Sequence, residues 1–512
     1  MKNLLKKIKS MWSTPLDGRY LTFKEILAFG GSSLGYSFII NIIWAVITVS
    51  QISEIYQISV LHGPIIFVIA SVIGLIAQPV FGKVLQRTKT RIGKYKPFIL
   101  ILAPLISVCA IAFTWLPQNL TETNKLIYVY CTSIPTLVMW NLFNNTFQML
   151  PAVITPNQQE RTDVWSPIGL IVGFAPTVIN VIKGWVIGYF TRQGNAYLAY
   201  RYMGLISIVF GLALVLLILK VRERVYVTEE ESKNEKVGLF EGLKLVMKNK
   251  PLMVLSLALV LGCMRTAIDA DIEVLARLRY ATNMATGYEV FSSLSLIVGF
   301  AATPNMILLP LLTRKFSSKT IMMFWGTCNA IGYGIMACIG FENLPQGAVS
   351  ATVITALRFI ALFNAMGSLL PLMLSELYDY QQFVSGKRLE GFIQTFAMAL
   401  VTLATNVGLL SMAFVKKGVG YEPKNYFDKM TVPTEIMNVA LKYYDIAVAV
   451  SAISAVLMVL VLAFYKLGKK EHAEIVKALQ EKNVNDEIKE NSPVVNNETD
   501  IVSKLSEGEL KA

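Results

Sequence analysis

The sequence predicts an all-α membrane protein of twelve transmembrane helices, arranged as two six-helix bundles with both termini in the cytoplasm. Three observations carry that reading. The 512-residue chain is 54% hydrophobic and only 16% charged, with a mean hydropathy of +0.53, whereas soluble domains carry about a quarter of their residues as charges. Apolar runs of roughly 20 residues, enough for a helix to cross a hydrocarbon core of ~30 Å, recur along most of the chain. The most charged interior segment, VRERVYVTEEESKNEKVGLFEGLKLVMKNK, divides those runs into two sets of six.

In chain order the first set lies near 22–52, 63–84, 98–116, 125–151, 164–190 and 201–220. The second lies near 251–275, 286–312, 320–341, 349–375, 390–415 and 438–466. The expected organisation is a basic amphipathic N-terminus (1–21), a first bundle (22–220), a cytoplasmic central linker (221–250), a second bundle (251–466) and a charged tail (467–512). The opening MKNLLKKIKSMW lacks the uninterrupted apolar core of a signal peptide. It suits a helix lying on an anionic leaflet, or a frayed basic terminus. In the tail, EHAEIVKALQEKN is expected to form a short surface helix, and the remainder is too polar to bury a core.

Charge orients the spans. Lys83, Arg87, Lys89, Arg91, Lys94 and Lys96 sit between spans two and three with no acid among them. Arg314, Lys315, Lys319, Lys387 and Arg388 fall in loops that share a side with both termini. The other side holds scattered charges, the densest in KKGVGYEPKNYFDK, where acids offset lysines. The positive-inside rule then places the basic loops in the cytoplasm, at a plasma membrane. The net charge of +13 is a lipid signal, because a nucleic-acid partner would need its basic residues gathered on a solvated face.

Enzyme chemistry has no foothold. The five cysteines, Cys109, Cys131, Cys263, Cys328 and Cys338, fall inside apolar runs without CxxC spacing and are expected to be buried, inert thiols. The two histidines, His62 and His472, lie outside the spans. No Walker loop, GxSxG or HExxH occurs. Neither a cofactor nor a metal site is expected.

Polar residues inside spans are the candidate site. Span one carries Gly30, Gly31, Ser32, Ser33 and Gly35, a small-residue face that serves helix packing first and binding second, with Asn41 further along. Span four places Asn141, Asn144, Asn145 and Gln148 at i, i+3, i+4 and i+7, bordered by Trp140 and Phe147. Amides bond hydroxyls and a ring stacks on an apolar sugar face; such a stripe can also simply hold helices together. Span seven carries Arg265, Asp269 and Glu273 on one helical face, with Asp271 elsewhere. From Pro251, Arg265 lies about 21 Å and Asp269 about 27 Å along the axis, so Glu273 falls near the outer rim. Arg358 lies roughly 13 Å into span ten, near the midplane. A cation there needs a partner, and Asp269 is the candidate, as a substrate or proton site or as a structural ion pair. Lys183 in span five is expected to snorkel outward along its stem.

Two loops go beyond composition. QPVFGKVLQRTKTRIGKYKPF, Gln78 to Phe98, resembles the loop between helices two and three of the glycoside–pentoside–hexuronide:cation symporters. That family reads roughly D-P-x-x-G, then T-x-[ST]-x-x-G-[KR]-[FYR]-[KR]-P. DYQQFVSGKRLEGF, Asp379 to Phe392, resembles the family's D-Y-x-x-x-x-[ST]-G-x-R-x-E-G between helices ten and eleven. GGSSLGYSF and LPAVITPNQQERTD fit more loosely, and the likeness spans 22–466 without the tail. It implies a major-facilitator fold, two bundles around a midplane site, and transport of a sugar or glycoside with a cation.

The departures are as informative as the matches. In this alignment the family's two helix-two cation aspartates fall on Gly74 and Gln78. The helix-one aspartate falls on Ser32 or Ser33, the helix-four aspartate on Asn144 or Asn145, the helix-five arginine on Gly169 and the helix-eleven lysine on Thr402. Sodium wants hard anionic oxygens. Losing acids and bases together leaves an uncharged site, suited to hydroxyls and unsuited to the family's sodium. The resemblance also suggests a cytoplasmic gate, with Arg87, Arg91 and Lys94 meeting Glu376, Asp379, Lys387, Arg388 and Glu390 across the bundles. The expectation is a secondary transporter whose partners are a small sugar-like solute, a proton and the bilayer. Two alternatives stay open: a facilitator or exporter of a less polar aglycone or steroid-like solute, and a non-transporting sensor.

Overall fold

The computed structural model of the protein describes residues 20–47, 52, 56–88, 90–117, 119–155, 175, 177–179, 181–224, 244–267, 287, 289, 296–297, 300–301, 303–344, 347–363, 366–386, 390–421, 434–475 and 477–478. Every regular element among them is helical. The first group comprises α1 (Phe23–Ile47), α2 (His62–Arg87), α3 (Lys96–Thr114), α4 (Glu122–Ile154), α5 (181–192) and α6 (Ala196–Val215), which tightens into a 3₁₀ turn at Leu216–Lys220. The second comprises α7 (Lys250–Leu261), α8 (Met264–Ala267), α9 (Thr303–Lys315), α10 (Ser318–Ile339), α11 (Ala348–Ala361), α12 (Met366–Ser385), α13 (Glu390–Val419) and α14 (Thr434–Ala463). Residues 469–475 add a short helix after α14.

Local chemistry sets several boundaries. Thr22 and Glu25 form a reciprocal capping box at the start of α1, the Glu25 amide donating to Thr22 Oγ1 at 3.3 Å and the Thr22 amide to Glu25 Oε2 at 3.1 Å. Asn249 caps α7 by accepting from the Leu252 amide at 3.0 Å, with Pro251 in the first turn. Gly340 stops α10 at φ +69°, a left-handed conformation that costs glycine nothing. The apolar run of span seven is not one helix: turns at Gly262 and Cys263 separate α7 from α8. A Cβ on Gly262 would lie 2.7 Å from Met458 Sδ of α14.

Within the first group α1 packs on α6, α3 on α4 and α6, and α2 on α4. In the second, α14 is the hub for α10, α7 and α8, while α11 lies on α10. The groups meet where α13 packs against α2. One buried apolar cluster runs from Phe29, Tyr36 and Phe147 into Tyr333, Tyr443 and Tyr444, and so belongs to both groups. Another, with Leu252, Trp325, Met373 and Met458, lies in the second group.

Among the described residues six helices are long and apolar enough to cross a membrane: Lys96–Thr114, Glu122–Phe147, Tyr197–Lys220, Ser318–Ile339, Phe396–Val419 and Met437–Ala463. Ile101, Val108, Phe210, Phe414 and Leu460 are exposed along them, the outward apolar surface that a bilayer would cover. The cysteines form no disulfide among the described residues, but only Cys263 is buried; Cys131 and Cys338 lie on exposed faces. Lys183 is buried rather than outward-facing, because the face of α5 that carries it turns into the packing.

Candidate solute site and bundle contacts

The span-four stripe meets α1 and α2. Tyr36 of α1 donates its hydroxyl to Asn144 Oδ1 at 2.5 Å. Its ring stacks on Phe147, with centroids 4.6 Å apart and planes 12° apart, and tilts against Trp140 and Phe143 at 5.4 and 5.8 Å. Trp140 and Phe147 are thus inside the α1–α4 contact, both buried. Asn141, Asn144 and Asn145 are half-buried. Gln148 lies on α4 and Asn41 on α1, with side chains outside the described residues. Ser32 and Ser33 are fully buried; Ser33 Oγ donates to Phe29 O at 2.8 Å and Ser32 Oγ reaches Val215 O of α6 at 3.5 Å. They occupy the helix-packing face.

On α2, Gly74 is buried and Gln78, one turn on, is half-buried. A Cβ added to Gly74 would lie 3.5 Å from Asn141 Nδ2. Where the family alignment expects a carboxylate there is backbone facing an amide nitrogen. Across the group boundary, Thr402 is exposed on α13. Asn406, one turn further, donates to Ser71 Oγ and to Phe67 O (3.3 Å), both of α2. Sequence reasoning missed Asn406 and Tyr36. The only signal for Asn406 was a lone amide in the apolar VTLATNVGLL.

Arg265 of α8 is buried and donates through Nη1 to Asn329 Oδ1 at 2.6 Å, and Asn329 Nδ2 in turn bonds Ala361 O of α11. Arg358 is buried on α11. Asp269, Asp271 and Glu273 lie outside the described residues, as does the pairing of Arg358 with Asp269. Gly169 lies outside them too.

At one end of the first bundle, Glu223 takes the amides of Lys94 (2.6 Å), Tyr95 (3.2 Å) and Lys96 (3.1 Å), capping α3. Arg224 holds both carboxylate oxygens of Glu25 at 2.8 Å, and its amide donates to Val153 O at 2.8 Å. In the second bundle, Ser318 Oγ donates to Glu376 Oε1 at 2.6 Å and His472 Nε2 meets Asp379 Oδ2 at 3.0 Å. The Asp379 bond draws the His472 pKa above its ordinary value, against burial, with Glu376 adding to the rise. Of the gate candidates, Arg91 is exposed and Lys94 half-buried. The side chains of Arg87 and Glu390 and all of Lys387 and Arg388 lie outside the described residues. The contacts of Glu223, Glu376 and Asp379 just given each join elements of the same helix group. Arg192 at the end of α5 pairs at 2.5 Å with Glu289, which falls in the predicted eighth span.

The family model for MFS/sugar transport protein matches residues 27–469, and the chain belongs to that family of the major facilitator superfamily. It is 22% identical over 458 residues to the uncharacterized symporter YnaJ of Bacillus subtilis, covering 87% of this chain and 94% of that one. It is 21% identical over 428 residues to the isoprimeverose transporter of Lactiplantibacillus pentosus, covering 82% and 84%. Among solved structures, a D-xylose-proton symporter superposes with a TM-score of 0.58 at 15% identity, over 85% of this chain and 97% of that one. The glycoside–pentoside–hexuronide membership read from the two loops stands, and the protein is a multi-pass plasma-membrane transporter, not an enzyme.

Proposed function

We propose that the protein carries a sugar-like, polyhydroxylated or glycosidic solute by alternating access, without the family's helix-two sodium site. In this reading twelve spans form two bundles with both termini inside, and the straps at Glu223–Arg224 and Lys469–Ile475 lie in the cytoplasm. The observation that carries it is an uncharged polar set: Gly74 of α2 against Asn141 Nδ2 of α4 within the first group, and Asn406 of α13 bonded across to Ser71 of α2. Amides and hydroxyls match a solute's hydroxyls, whereas no carboxylate stands at the aligned helix-two positions to hold sodium. The relative named an isoprimeverose transporter supports a sugar-like cargo. Proton coupling, with Asp269 as carrier, completes the reading.

Uptake of radiolabelled sugars and glycosides into proteoliposomes, with sodium and proton gradients imposed separately, tests it. Concentrative uptake driven by protons alone is expected. Sodium-driven concentration would overturn the loss of the cation site, and equilibration without concentration would make the protein a facilitator. No uptake of any panel member would overturn the cargo class.

A further inference from the structure

We infer that Tyr36 locks the Asn144 amide so that α4 presents hydrogen-bond donors to the solute, Nδ2 of Asn144 beside Nδ2 of Asn141, and selects solutes by acceptor oxygens. The inference deepens the proposed function and rests on it. Two independent observations point the same way. The contact between Tyr36 Oη and Asn144 Oδ1 is 2.5 Å, at the short end of the roughly 2.5–3.0 Å range of O–H···O bonds and below the usual N–H···O range. The amide oxygen therefore faces the phenol. Because oxygen and nitrogen of a planar amide point apart, Nδ2 is turned away from Tyr36 with two protons to give. One turn earlier, Asn141 directs Nδ2 at the bare backbone of Gly74, 3.5 Å from where a Cβ would stand.

Both asparagines are half-buried and so keep surface that a solute can reach. The phenol is held in turn: its ring is 4% exposed, stacked on Phe147 and flanked by Trp140 and Phe143. An aspartate at position 144 would offer acceptors and meet a hydroxyl proton or a cation. An asparagine with its oxygen occupied offers donors, and meets a ring, glycosidic or carboxylate oxygen. Tyr36 acts as a positioning residue, and its hydroxyl decides which face of the amide the solute sees.

The test is competition for uptake by methyl glucoside and methyl xyloside, their monodeoxy and monodeoxyfluoro derivatives, and methyl glucuronide as the acidic arm. Fluorine keeps an acceptor and removes the proton. In the wild-type protein, at one ring position, the deoxy derivative is expected to compete about tenfold more weakly than the parent, with the fluoro derivative within about threefold. Asn144→Asp should erase this difference, the fluoro derivative falling with the deoxy one. Tyr36→Phe keeps the stacked ring and frees the amide to turn, and should bring deoxy and fluoro derivatives to within about threefold of each other. Stronger competition by the glucuronide than by the glucoside, lost in Asn144→Asp, assigns a carboxylate as the acceptor; equal competition assigns neutral oxygens. A wild-type order unchanged in both variants overturns the inference while leaving transport standing. So does a wild-type protein indifferent to every deoxy derivative. If no glycoside or glucuronide competes at all, the proposed function falls together with it.

Discussion

At the scale of single residues, close approach of backbones is what the small side chains of span one supply. A Cβ on Gly35 would lie 2.6 Å from Gly211 O and 2.7 Å from Val215 N of α6, and backbone cannot swing aside as a flexible side chain can. Gly35→Ala is therefore expected to cost about 1–3 kcal/mol through overpacking. Gly334 on α10 has nothing within 4 Å of such a Cβ, so Gly334→Ala should be neutral or stabilising by up to about 1 kcal/mol through helix propensity. Thermal denaturation in detergent distinguishes the two, and equal melting temperatures for both variants would refute the packing argument. The same scale shows what the sequence made legible. The amide stripe of α4 was visible because its members recur at helical spacing, and Gly74 was visible because a carboxylate was expected there. Tyr36, Asn329 and Asn406 were not. A lone polar residue in an apolar run has no periodicity, and its partner, such as Ser71 for Asn406, becomes known only once two helices distant in sequence are docked.

At the scale of elements, hydropathy located the six described helices that are long and apolar enough to cross a membrane but could not see where a run breaks. The turn at Gly262 and the end of α11 at Leu362 both fall within continuously apolar sequence. At that turn Met458 of α14 lies close to Gly262, where a Cβ would meet its sulfur. The sequence predicts a polar linker from residue 221, yet its first residues belong to the packing of the first helix group. Val221 is fully buried, Glu223 is 7% exposed, and the Glu223 carboxylate lies where a Cβ on Gly93 (φ +128°) would be. Glu223 closes the open N-terminus of α3, so that three amides of the basic loop find an acceptor. Glu223→Ala should lower stability by about 1–2 kcal/mol, the usual loss for a helix cap. Glu223→Gln, which keeps one acceptor oxygen, should lose less. Equilibrium unfolding in detergent checks the order; a Gln variant as weak as the Ala variant would locate the effect in charge rather than in the amide bonds.

At the scale of the whole molecule, α13 packed on α2 and a shared apolar cluster join the two helix groups, while the Arg192–Glu289 pair is a contact weak enough to be broken in the proposed transport cycle. Arg192 is nearly half exposed where it meets Glu289, and an exposed pair contributes about 0.2–1 kcal/mol. Arg192→Glu should thus barely alter the melting temperature, yet shift the balance of two nearly equal states by up to about fivefold. The charge-swapped double variant Arg192→Glu with Glu289→Arg should restore wild-type uptake, and failure of the swap would remove the pair from the cycle. The second helix group carries a contact that pH can address. His472 binds Asp379, in the last turns of α12, while Lys469 of the same short helix bonds Thr313 O and Arg314 O at the end of α9. Glu376 faces the imidazole from α12, occupied by Ser318, and Lys319 of α10 is held by Ala463 O. Asp379 raises the His472 pKa above its unfolded value, which is about 6.5. A raised cationic pKa fixes the sign: the pair stabilises docking fully below the unfolded value and is lost as pH climbs through the folded one. Residues 469–475 should then show slower amide exchange, after correction for intrinsic rates, at pH 6 than at pH 8. In His472→Ala that difference should vanish, and in Asp379→Asn it should shrink. The apolar part of the contact, Leu467 and Ile475, both buried, does not titrate and holds the segment in place at either pH. An equal pH difference in wild type and His472→Ala would therefore assign the effect to another group, with Glu376 the nearest.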